Sequence, residues 1–153
     1  MPDNTTLNRD SLTERELWEP KGTHTAEIGD YVYDIYKLRP YAESLPVQSI
    51  PLAVFESRVA PGEYYWHDTE GNWLGPHQLL EDWEAAQKNP LWAKHVEKIK
   101  RVNADTPIWV INNSEVIDGM HRLTKAFLEK RTEINCRFWT SLPEEAIVKE
   151  INV

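Results

Sequence analysis

Apolar residues are spaced unevenly along the chain, and the spacing divides it into elements. Residues 1–25 are dominated by Thr, Asn, Asp and Glu without a periodic apolar stripe, which predicts a polar N-terminal arm. Residues 26–153 are then expected to form a single domain. The segment 27–38 contains YVYDIYKL, whose aromatic and β-branched content suits a strand or a short helix. LPVQSIPLAVF, residues 45–55, reads as a strand with a proline break, and Pro51 predicts an edge position or a bend. Residues 57–75 read as loop, with Pro61-Gly62 and Glu70-Gly71-Asn72 as turn signals. That loop carries Tyr64, Tyr65, Trp66 and Trp73, so it either packs over the core or lines a pocket, with packing preferred.

Helical spacing begins at residue 76. Leu79, Leu80, Trp83 and Ala86 predict one helix over 76–87. A second follows, with Asn89 as N-cap, Pro90 in its first turn and Trp92, Val96 and Ile99 as its apolar stripe. His95 lies on the edge of that stripe. PIWVI, residues 107–111, is apolar on both faces and predicts a central strand. Asn112-Asn113-Ser114 is a turn and 115–117 a short second strand. From His121 the spacing is helical again, with Leu123, Ala126 and Phe127 inward and Lys125 and Glu129 as an outward ion pair four residues apart. A last strand covers 133–138, with Ile134, Cys136 and Phe138 on one face. Strands mixed with helices in this order predict the α+β class.

Composition narrows the function. The chain has 153 residues, 41% of them hydrophobic, enough for one domain with a core. Its one cysteine, Cys136, allows no internal disulfide, and the N-terminus shows no apolar signal-like stretch, so a cytoplasmic protein is expected. No apolar run approaches the roughly 20 residues of a membrane span, so no membrane association is expected. A net charge of −8 argues against nucleic acid as the main partner, because backbone affinity comes from clustered Lys and Arg. The charge is asymmetric, however. Residues 1–90 carry 7 basic and 16 acidic side chains, whereas residues 91–139 carry 9 and 6. A local cationic site on an acidic body suits a small anion.

The cationic part contains VIDGMHRLTKAFLEK, residues 116–130, where a strand pattern gives way to a helix pattern across Asp118, Gly119, Met120, His121 and Arg122. A strand–Gly–helix junction exposes backbone N–H groups at the positive end of a helix dipole, a natural anion site. In that reading Gly119 permits close approach, Asp118 caps the helix, Arg122 offers a planar fork to a phosphate and His121 donates to it or shuttles a proton. A plainer account competes equally. Asp118 is then only a cap, His121 a surface residue and Arg122 one half of an ion pair.

The segment D-G-M-H-R, set between an apolar strand and a helix with Ala126 four residues after Arg122, resembles the ParB/sulfiredoxin superfamily, over about residues 31–138. The resemblance implies a small mixed sheet with helices packed on it. It also implies a junction holding nucleotide phosphates: ATP, ADP or CTP bound through Gly119, Met120, His121 and Arg122, with His95 alongside. Asp118 would position substrate or a magnesium ion, and Glu56, ahead of Glu43, would be the base. Asp118, His121 and Glu56 are thus the expected catalytic residues. Met120 stands where sulfinic acid reduction needs a cysteine, and only 15 residues follow Phe138, too few for a DNA-binding domain. His67 and His77 lack the spacing of a zinc site. The expectation is a nucleotide-dependent phosphotransferase or hydrolase. A non-catalytic nucleotide- or partner-binding module is the alternative, and a nuclease a weaker one. The acceptor is unidentified, and a homodimer is compatible with the sequence.

Overall fold

The computed structural model describes residues 24–151; all of the expected polar arm except His24 and Thr25 lies outside them. The chain enters through β1 (Thr25–Ile28) and turns at Gly29 and Asp30 into β2 (Tyr31–Asp34), its antiparallel partner. YVYDIYKL supplies both elements that its composition suits. At Asp34 the strand ends, because its carboxylate accepts a hydrogen bond from the Tyr36 amide at 2.9 Å and caps α1 (Ile35–Ala42). A strand near the C-terminus, β9 (Ile147–Glu150), pairs with the other edge of β2. The sequence pattern gave no sign of β9: its last three residues are exposed, and what holds it is the backbone ladder.

A four-stranded mixed sheet forms the centre. Its order is β3 (Val47–Pro51), β8 (Glu133–Trp139), β6 (Ile108–Ile111), β7 (Glu115–Asp118). β6 runs parallel to β8, and the two outer pairings are antiparallel. All four residues of β6 are buried, as expected for a central strand, and Pro51 ends the edge strand β3. The β6–β7 turn places Asn112 and Asn113 at φ 52° and 72°, a left-handed region that Asn tolerates.

Alternation along β6 explains why both its faces are apolar. Ile108 and Val110 pack into a core under helices α2 (Pro76–Glu81), α4 (Ala93–Arg101) and α5 (Met120–Leu128), with Leu79, Val96, Ile99 and Leu123. Trp109 and Ile111 face the opposite way, into a second core with Ile35, Leu38 and Trp139 from α1 and β8. The protein is therefore of mixed α+β class with small sheets.

The helix expected over 76–87 is two short ones. Asp82, at φ −151° and ψ 88°, breaks the run and accepts a hydrogen bond from the Ala85 amide at 3.1 Å, capping α3 (Trp83–Gln87). The aromatic loop folds into a small hairpin of β4 (Trp66–His67) and β5 (Trp73–Leu74). Trp66 and Leu74 are buried, while Trp73 is 59% exposed. The segment thus both packs on the core and lines a cavity.

Candidate functional site

The β7–α5 junction is built around Gly119, which has φ +118° and lies against β6. A Cβ there would meet Ile108 Cγ2 at 2.5 Å, so the glycine is required by packing on Ile108 as well as by its backbone angle. Gly119, and not Asp118, is the N-cap residue of α5, and no side chain caps it. Asp118 is committed elsewhere. Its Oδ2 accepts a hydrogen bond from Arg122 Nη2 at 2.9 Å, and its Oδ1 lies 3.2 Å from His24 Nε2. Arg122 Nη1 donates to the Pro107 carbonyl at 3.0 Å.

These contacts correct two expectations. Arg122, only 3% exposed, turns inward and ties α5 to Asp118 and to the segment before β6; it is not on the cavity wall. Its charge is met by a buried carboxylate and needs no bound anion to offset the helix dipole. Asp118 already gives one lone pair of each oxygen to Arg122 and His24, so a magnesium ion there would share the carboxylate with a guanidinium and an imidazole. Among the described residues no group of three or more His, Cys, Asp or Glu side chains could hold a metal.

In front of Gly119 lies a cavity of about 790 Å³. Asp118, Gly119, Met120 and His121 form one wall and His95, Lys94 and Lys98 of α4 another. Tyr64, Tyr65, Trp66, His67 and Trp73 form the aromatic side. Lys98 is 4% exposed, so its long stem is enclosed. Arg58 and Glu63, 3.9 Å apart, close the rim, and Arg58 Nε donates to the Ser114 carbonyl at 2.9 Å.

Two imidazoles and the backbone carbonyl of a third histidine meet at the cavity wall. His95 Nδ1 lies 2.9 Å from His121 Nε2, and His95 Nε2 lies 2.9 Å from the His67 carbonyl oxygen. The two imidazole planes are within 7° of parallel with centroids 5.2 Å apart, the spacing of rings joined edge to edge through one proton. The Trp66 indole lies over both, 4.4 Å from His121 and 5.0 Å from His95. Burial, then the neighbouring His121, push the His95 imidazole down to about 4, so it is neutral at pH 7.

The structure therefore brings together Asp118, Gly119, Met120, His121 and His95. Arg122 is set behind them. Glu56 lies exposed on the 3-10 turn of Leu52–Val59 and Glu43 exposed at the end of α1; neither reaches the cavity wall, which corrects their expected role as base. Lys98, Arg58, Glu63, Glu115 and His24 are wall residues that sequence reasoning missed. Lys98 carried a usable signal, one turn beyond His95 on the same helix. His77 packs edge-on to Tyr64 and is absent from the wall.

No family model, no curated protein and no solved structure matches this chain. The likeness to the ParB/sulfiredoxin superfamily thus rests on the D-G-M-H-R segment and its setting.

Proposed function

We propose that this cavity binds a nucleotide and that the protein transfers or hydrolyses its phosphate. The observation that carries the reading is the pairing of two chemistries in one cavity. The N-terminal turn of α5 with Lys94 and Lys98 offers positive charge to phosphates. The exposed rings of Tyr64 and Trp73 offer flat faces to a base. A volume of about 790 Å³ lies within the roughly 300–1,000 Å³ range of ligand pockets. Arg122 supports the phosphate site from behind by fixing the junction.

Thermal unfolding with ATP, ADP and CTP, each with and without magnesium, tests this. Binding raises the melting temperature by several degrees with at least one of them. Lys94→Ala and Lys98→Ala each reduce the rise. No rise with any nucleotide overturns the reading. A rise without phosphate release leaves a binding module in place of an enzyme.

A further inference from the structure

We propose that His121 is the proton acceptor of this cavity and His95 its positioning residue, with the His67 carbonyl setting the tautomer of both rings. Hydrogen-bond direction fixes these roles. A carbonyl oxygen only accepts, so the 2.9 Å contact to His67 requires His95 Nε2 to carry a hydrogen. In a neutral imidazole the other nitrogen is then bare, so His95 Nδ1 accepts. The 2.9 Å contact between the rings must therefore be a donation from His121 Nε2. His121 is left with its lone pair on Nδ1, and whatever polar group meets that nitrogen must donate.

The neutral state of His95 has independent support. Burial is the main cause, and the charges of Lys98 and Lys94 act in the same direction. Trp66 holds both rings in one plane and presents a π face that favours the cation formed when the pair takes a proton.

The substrate named here rests on the nucleotide reading above; the tautomers do not. His121 Nδ1 takes the proton of an attacking water or hydroxyl as its oxygen bonds to the terminal phosphorus. The bond from phosphorus to the bridging oxygen breaks, and its electron pair leaves on the nucleoside diphosphate, which departs as an anion and needs no proton. The proton on the histidine pair then returns to water. This base replaces Glu56.

Long-range proton–nitrogen NMR correlation on the full chain with ¹⁵N-labelled histidine reads the tautomers, and only five histidines need assignment. The expected result at pH 7.5 is a hydrogen on Nε2 of both His95 and His121. His95→Phe removes the acceptor, and a population of Nδ1–H His121 appears. His95→Asn, whose side-chain oxygen can accept in place of Nδ1, restores the wild-type tautomer. Phosphate release from ATP falls at least tenfold in His95→Phe and partly recovers in His95→Asn. His121 protonated at Nδ1 in the wild type, or unaltered in His95→Phe, overturns the relay even if nucleotides bind. Wild-type tautomers as expected, with no nucleotide-induced melting shift, overturn the substrate reading. Binding with phosphate release unaffected by His95→Phe overturns the role of His95.

Discussion

Asp118 and Arg122 face each other across Gly119 at 2.9 Å, with side chains 3% and 4% exposed. Each charge is compensated in the interior by the other, with His24 beside the carboxylate and the Pro107 carbonyl beside the guanidinium. Removing one partner of a buried pair typically costs about 3–5 kcal/mol, since it strands the other charge. Arg122→Ala and Asp118→Asn are therefore expected to lower the urea midpoint severely, with or without nucleotide. The double variant is expected to lose less than the sum of the two. A guanidinium whose job was to hold phosphate would show the opposite: lost binding at nearly unchanged stability.

That relationship marks the limit of what the sequence disclosed. The continuous apolar run PIWVI and the 3.6-residue period after His121 are driven by burial, so β6 and α5 lie where the pattern puts them. The D-G-M-H-R segment was legible as a junction, and a cavity does open in front of it. The direction in which Arg122 points was not legible, because it depends on Pro107 and on a carboxylate one turn back. Nor was the meeting of His95 with His121, 26 residues apart, since helix packing across α4 and α5 brings them together. Asp82 broke an apparently continuous helix by competing for a backbone amide, which apolar periodicity does not report.

Lys125 separates pattern from geometry in a measurable way. The spacing to Glu129 suggests an outward ion pair, but Lys125 Nζ donates to the Lys100 carbonyl at 2.9 Å and to that of Val102 at 2.7 Å. It thereby clamps α5 to the C-terminal end of α4, where unsatisfied carbonyls concentrate. Glu129 instead pairs with Arg131 at 2.8 Å. Lys125→Met is expected to cost about 1.5–3 kcal/mol, the range for hydrogen bonds to charged groups. Glu129→Gln is expected to stay within roughly 0.5 kcal/mol, as for most exposed pairs. Equal losses in the two variants, measured by urea unfolding, would refute the clamp.

Cys136 sits fully buried in the middle of β8, and burial pushes its thiol up to about 12. The thiolate is the reactive form, so the native protein should resist alkylation. Iodoacetamide at pH 8 is expected to leave native protein unmodified over hours and to label it within minutes in 6 M guanidinium, roughly the concentration that unfolds even very stable domains. Rapid labelling of native protein, read by intact mass, would mean that β8 opens far more readily than its central place in the sheet implies.

His95 gives stability a defined pH dependence. Burial, then His121, Lys98 and Lys94, lower its imidazole from 6.5 to about 4, against the hydrogen bond to His67 that raises it. The unfolded chain therefore binds more protons than the folded one between these values. Stability is full above about pH 6.5 and falls as the pH drops toward 4, by at most on the order of 2–3 kcal/mol, with partial solvent access reducing it. The physical event is a proton arriving at His95 Nδ1, which turns an acceptor into a donor facing the His121 Nε2–H and opposes that one hydrogen bond between α4 and α5. Urea midpoints measured at pH 7, 6, 5 and 4.5 are expected to fall steadily in the wild type. His95→Phe keeps a flat ring under Trp66 without a titrating nitrogen, and its midpoints are expected to fall less over the same range. Parallel curves for the two proteins would mean that other groups carry the acid sensitivity and that His95 is not held neutral by its surroundings.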